Sequence, residues 1–429
     1  MNPLVIIPTY VSLDGRGTAD PTLYYDHMTP LSRDGELPRC LQSLTKVQGI
    51  GAVAVLVVAE EGIEEQAGDK IRKIAMNFPE LSIMVLTSGE LDIVRRRFEQ
   101  LNFGRLEKEV GLAGYSAARN LGLVLANVLG FDSVVFLDDD EIVDDEDFLI
   151  KAVYGLGKLT RRGIPILAKT GYYLNKEGSY HSLSKDKWYN RYWKQGKAFD
   201  AWIDKAMAST RLSRSNHVCG GCMALHKEAF KRLSFDPWIT RGEDLDYLLN
   251  LRMYGSDMWF DNTWKLRHLP PRTKNEGKRF CQDVYRWLYE FRKMEYSRAQ
   301  IDLHRIKPES LMPYPGPFLE QGIKKRVRRT AFLRSLACKD KASYREAKAL
   351  AAGEADEYAQ QNCSKYFEFQ YIWPDLMACT EGDSILRNAL LRSAIRAANE
   401  GVVEPPAEST MEAHVDAGLT SDIRMNLAE

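Results

Sequence analysis

The sequence predicts an α/β fold: a mostly parallel, doubly wound sheet with helices on both faces, followed by a C-terminal helical module. Three observations carry this. The apolar runs at residues 4–7, 53–58 and 134–137 lack polar alternation, as strands buried on both faces do. Stretches with helical spacing lie between them, and such alternation is what a parallel sheet requires. From Phe280 onward no further buried β run occurs, while Val284, Trp287, Leu288, Phe291 and Met294 recur at helical spacing. The expected divisions are 1–275 for the α/β part, 276–400 for the helical module and 401–429 for a mobile tail.

In order, Leu4 to Tyr10 reads as a first strand, with Pro8 marking its exit because proline cannot donate to a ladder. Residues 11–36 carry Gly15, Gly17, Pro21, Pro30 and Gly35 and read as a long loop. A helix near 38–45 precedes the strand 53–58, which delivers Glu60, Glu61 and Gly62 to an edge. A helix at 65–76, a strand at 81–86 and a helix at 113–129 lead to residues 134–137, which run into Asp138, Asp139, Asp140 and Glu141. Helical spacing follows at Phe148, Leu149, Ala152, Val153 and Leu156, then a strand at 164–173 and an aromatic stretch at 175–202 that suits either an acceptor wall or a packed flap. Cys219-Gly220-Gly221-Cys222 turns into a short strand, with a helix at 227–233 after it. Arg241-Gly242-Glu243-Asp244-Leu245-Asp246 opens a helix to Tyr254, strands follow at 258–260 and 266–268, and Pro270-Pro271 closes the region. Helices are expected near 319–337, 341–361 and 384–399.

Composition narrows the function classes. Lys plus Arg and Asp plus Glu both number 59, so no global field favours nucleic acid, and a charged substrate must be met locally. The seven scattered cysteines and the lack of an apolar leader point to a reducing cytoplasm. No window approaches the roughly 20 apolar residues of a membrane span, so any membrane work is done peripherally, from the inner face. The basic run from Lys324 to Arg329 is the place for it, although such runs are usually solvated helix faces. Cys219 and Cys222 lack the second ligand pair a structural zinc site needs.

The abrupt change at residue 138 is the chemical signal. Ligands of open α/β sheets collect at the carboxyl ends of strands. Strand alternation would put Asp138 and Asp140 on one side and Asp139 on the other. Two same-side carboxylates suit Mn²⁺ or Mg²⁺, ions that complete their shells with water and phosphate oxygens. The plainer alternative is an acidic loop capping a helix near Asp144 or Asp145.

Five segments, in this order, carry a resemblance: Val5-Ile6-Ile7-Pro8-Thr9-Tyr10, Ser116-Ala117-Ala118-Arg119-Asn120-Leu121-Gly122, Phe136-Leu137-Asp138-Asp139-Asp140, Gly220-Gly221-Cys222-Met223-Ala224 through Phe230, and Gly242-Glu243-Asp244-Leu245-Asp246. Over residues 1 to about 270 the chain resembles GT-A nucleotide-sugar glycosyltransferases, within them the inverting family-two group. The resemblance implies a UDP- or GDP-sugar donor, a carbohydrate or other hydroxyl acceptor, and a DxD strand in which Asp138 meets the nucleotide and Asp140 the metal. It places Pro8, Thr9, Tyr10, Arg119, Asp139 and one of Glu60 or Glu61 around the nucleotide. Asp244 would be the general base with Glu243 beside it, and His268 a further metal ligand. Three features depart from the pattern: the long loop 11–36, Glu60-Glu61 in place of two aspartates, and a helical module without a counterpart. A retaining GT-A transferase, a sugar nucleotidyltransferase and a non-catalytic nucleotide-sugar or polysaccharide binder are the rival readings, and an oligomer through the helical module stays open.

Overall fold

Strand β1 (Pro3–Ser12) runs through the middle of the sheet and does not stop at Pro8. Its odd-numbered residues turn their backbone groups to β3 (Ala52–Ala59), ending with Glu60 N on Val11 O at 2.9 Å. Its even-numbered residues face β5 (Ser133–Phe136), whose last contact is Leu137 N on Ile6 O at 3.0 Å. Pro8 therefore faces the side where the neighbour has already ended, and its missing N–H breaks no ladder bond. That is why the sequence expectation of an exit at Pro8 fails.

The computed structural model describes residues 1–15, 25–182, 187–271 and 276–400, excepting the side chains of 397–400. The expected mobile tail and residues 16–24 of the long loop lie outside the described residues. Within that loop β2 (Thr29–Pro30) pairs with the end of β1. There follow α1 (Leu37–Leu44), α2 (Glu64–Ala75), β4 (Ser82–Leu86), α3 (Ser88–Gln100), α4 (Tyr115–Leu129), β6 (Glu141–Ile142), α5 (Phe148–Val153) and β7 (Ala168–Leu174). Then come α6 (Gln195–Met207), β8 (Leu212–Arg214), β9 (Met223–His226), α7 (Lys227–Phe230), α8 (Glu243–Met253) and β10 (Met258–His268). The chain ends in α9 (Glu276–Ser297), α10 (Ile323–Ala337), α11 (Lys341–Leu350), α12 (Glu354–Asn362), α13 (Lys365–Thr380) and α14 (Ser384–Glu400).

The sheet order is β4-β3-β1-β5-β9-β7-β10-β6. The half from β4 to β5 is parallel; β9 enters antiparallel to both neighbours, and β7 and β10 are parallel again. Both faces are covered, as the unalternating runs predict. Leu4, Ile6, Leu56, Val134 and Phe136 pack on one face with α3, α4 and α8, and Val5, Ile7, Val55, Val135 and Leu137 on the other with α1, α2 and α5. The C-terminal helices join the first of these clusters through Trp287, Phe369 and Trp373. Asn127 of α4 donates to Met377 O at 2.7 Å and Trp373 Nε1 to Phe230 O at 2.8 Å, so α4 lies sandwiched between sheet and α13, which accounts for its being apolar nearly all round.

The strands expected at 258–260 and 266–268 are one strand, β10, with an irregularity between Phe260 and Lys265. The polar break at Asp261 is buried because Lys169 Nζ reaches its carboxylate at 3.1 Å. The helix expected at 341–361 is two, α11 and α12, parted at Ala351–Gly353.

Candidate active site

After β5 the chain turns through Leu137 to Asp140, and Glu141 pairs with His268 in the antiparallel β6–β10 ladder. That register sets the geometry. His268 Nε2 comes to 3.3 Å from Asp140 Oδ2, and Leu269 N donates to Asp140 O at 3.1 Å. Glu141 turns back to accept from Asp138 N at 3.0 Å, which fixes the turn. Asp139 points the other way, taking a 2.6 Å hydrogen bond from the Thr9 hydroxyl at the end of β1. Asp138 meets Arg119 Nη2 at 3.2 Å.

Charge in this turn is unevenly held. Burial pushes the Asp138 carboxyl up to about 6 against the pull of Arg119, although 42% of its side chain remains exposed. Burial and then the neighbouring Asp140 push Asp139 up to about 8. For Asp140 burial works in the same direction, but the His268 hydrogen bond outweighs it and holds the carboxyl below its ordinary range. His268 is correspondingly held above its ordinary value, against burial, by that same bond.

The donor set fits a divalent cation shared with a ligand. Among the described residues, no three His, Cys, Asp or Glu side chains converge closely enough to hold an ion alone. Asp140 and His268 are directly apposed, with Asp138 beside them, so water and diphosphate oxygens would complete the shell, as is usual for Mg²⁺ and, with an imidazole present, for Mn²⁺.

Arg119, buried on α4, ties the acidic turn to α8. Its Nε reaches Glu243 Oε1 at 3.0 Å, its Nη1 donates to Gly220 O at 3.2 Å, and its guanidinium lies 4.8 Å from the Phe136 ring centre. Asp244 is half-buried and its Oδ1 accepts from Leu245 N at 2.7 Å. It is not the helix cap, since α8 is capped by Gly242 at φ +74°. A Cβ on Gly220 would lie 3.3 Å from Asp244 Oδ2 and 3.0 Å from Arg119 Nη2, so these two groups flank the same glycine. On Gly221 it would lie 2.0 Å from Glu141 Oε2. The glycine pair lets the loop thread between acidic turn and helix. Its flanking Cys219 and Cys222 are buried free thiols, both pushed up by burial.

The other sequence candidates are dispersed. Glu60 Oε2 accepts from Leu13 N at 2.9 Å, and Glu61 is exposed. Pro8 is buried, and the Tyr10 ring lies tilted against Tyr25 at 4.5 Å and edge-on to Tyr115 at 5.2 Å. Several site neighbours escaped the sequence reading. Tyr25 OH accepts from Gly114 N at 2.6 Å, Asp26 pairs with Arg241 at 2.8 Å, and the Arg286 guanidinium lies where a Gly242 Cβ would be, 2.0 Å from that point. The first two sit in a stretch without periodicity; Arg286 was visible only as a charge inside the α9 stripe. The basic run is half committed to the fold, with Lys324 on Asp356 at 2.9 Å and Arg326 on Pro317 O.

No family model matches the chain, and no curated protein matches it. Among solved structures it is similar to the mannosyltransferase PcManGT from Pyrobaculum calidifontis in complex with GDP-Man and Mn²⁺, at 15% identity and TM-score 0.46 over 89% of this chain and 86% of that one. It is also similar to GalNAc-T7 with UDP, GalNAc and Mn²⁺, at 11% and 0.41 over 87% of this chain and 58% of that one. Mouse xyloside xylosyltransferase 1 follows at 10% and 0.26, over 58% and 74%.

Proposed function

We propose that this chain is a metal-assisted GT-A glycosyltransferase that moves a sugar from a nucleoside-diphosphate sugar to an acceptor hydroxyl with inversion. One observation carries the reading: Asp138, the Asp140–His268 pair and Asp244 gather around the carboxyl edge of β5, joined by Arg119 across Gly220. Asp140 and His268 would hold Mn²⁺ or Mg²⁺, and Asp138 would face the nucleotide. The ion, when bound, neutralises charge that develops on a departing diphosphate. Asp244 would take the acceptor hydroxyl's proton, for which it needs only hydrogen-bond reach. Glu243 is better assigned to holding Arg119, whose guanidinium it meets at 3.0 Å, than to touching substrate.

Calorimetry with UDP and GDP in the presence of Mn²⁺ tests the donor side, and Asp140→Ala should abolish metal-dependent binding. Asp244→Asn should keep nucleotide affinity and lose on the order of 10²–10⁴-fold in turnover. Binding of UDP or GDP with Mn²⁺ by Asp140→Ala as tight as the parent's removes the cation assignment, and a product of retained anomeric configuration removes inversion.

A further inference from the structure

We propose that one face of α10 docks the protein on an anionic lipid surface. Lys325, Arg328, Arg329, Phe332 and Leu336 are all exposed, and on a helix they fall within about 100° of arc. The opposite side is buried through Ile323, Val327, Thr330 and Ala331. The basic residues occupy the first half of the face and the apolar ones the second, with Phe332 46% and Leu336 57% exposed. Unlike Lys324 and Arg326, which brace the fold, Lys325, Arg328 and Arg329 form no ion pair among the described residues.

The turn at residues 188–190 borders this surface beside Arg329. It packs along α10, where Arg334 Nε donates to Asn190 Oδ1 at 2.9 Å and the Arg329 guanidinium sits 5.3 Å from the Tyr192 ring. It presents Trp188, 61% exposed, between the exposed Lys187 and Arg191. Single exposed apolar residues need no explanation, but a Phe and a Leu in line with three cations that form no ion pair, and a Trp beside them, do. Tryptophan favours the headgroup level, phenylalanine and leucine reach the acyl boundary, and lysine and arginine meet anionic headgroups. The pairing of charge with insertion favours a bilayer over nucleic acid, which has no place for Leu336. No described helix is long and apolar enough to cross a membrane, so the contact is peripheral.

Sedimentation of the full chain with phosphatidylcholine vesicles, with and without phosphatidylglycerol, tests this. Binding should require phosphatidylglycerol and weaken with salt. The triple change Lys325→Gln, Arg328→Gln, Arg329→Gln should weaken it on the order of a hundredfold, at about 1 kcal/mol per basic residue. Phe332→Ser with Leu336→Ser should weaken it about tenfold and leave its salt dependence. All five positions are exposed, so each variant should melt with the parent, and either one alone suffices. Equal binding to neutral and anionic vesicles, or binding that neither variant changes, overturns the proposal. So does a self-associated species in ultracentrifugation that Phe332→Ser with Leu336→Ser dissolves, because the face would then belong to a second copy of the chain.

Discussion

Replacing Lys293 by Met should destabilise the fold severely at neutral pH and much less in acid. Its Nζ lies 2.6 Å from both Asp236 and Asp246, and all three side chains are fully buried. Burial alone would pull the ammonium's pKa down; the two carboxylates outweigh it and hold the value above the ordinary one. Without the cation, two buried carboxylates face each other, and their escape is to share one proton. Carrying one carboxyl protonated at pH 7 from an unfolded value near 3.9 costs about 4 kcal/mol at 1.36 kcal/mol per unit, of which the parent already bears about 3 through Asp246 at about 6, so this proton accounts for about 1 kcal/mol of the difference. The lost attraction of Lys293 for Asp236 adds to it, toward the roughly 3–5 kcal/mol typical of breaking a buried pair by removing one partner. Burial already raises Asp246 to about 6 in the parent, so the folded state binds protons the unfolded chain has released, and stability falls as pH rises through that window. In the variant the window extends higher while the parent's ends near 6, so the gap between parent and variant should widen from about pH 6 to about pH 8. Urea unfolding at both ends measures it. A gap under about 1 kcal/mol at pH 7, or one that does not change with pH, refutes the reasoning.

Other changes probe the same architecture. Gly221→Ala drives a Cβ to within 2.0 Å of Glu141 Oε2, and should break the Glu141 bond to Asp138 N, losing about 1–3 kcal/mol of stability together with nucleotide binding. Gly130→Ala is the control: it has φ +81° but open space around it, so melting should report only about 1 kcal/mol and binding should not change. Arg119→Lys keeps the charge but cannot reach Asp138, Glu243 and Gly220 O in one fork; denaturation should show a loss of about 2–3 kcal/mol, and parental stability would show that the fork geometry is dispensable.

How much was legible follows from which forces act locally. Strands β1, β3 and β5 were readable because burial on both faces writes itself as an unbroken apolar run. The acidic turn was readable because such a run ends in it. Helix α3 escaped because its core residues Leu91, Val94 and Phe98 are set among charges, and α13 because Pro374 interrupts the pattern inside the helix. Asp26, Arg241 and Arg286 come to the site from separate parts of the chain, joined by long-range packing that no local pattern records.

Helix α8 shows where a motif stops being informative by itself. Asp244 and Asp246 stand in one acidic motif, yet at two residues apart they are separated by about 200° around the helix. Asp244 is left half-buried beside Gly220, whereas Asp246 is fully buried on Lys293 and Asn250. The helical period alone separates them, and it also foretells the i,i+4 contact of Asp246 with Asn250 at 2.7 Å. It does not foretell Lys293, which arrives from α9, 47 residues further along. The C-terminal helices thus supply the counter-charge that lets α8 bury one carboxylate while presenting the other. A chain trimmed to its α/β part would expose that need directly, because Asp246 would then lack Lys293.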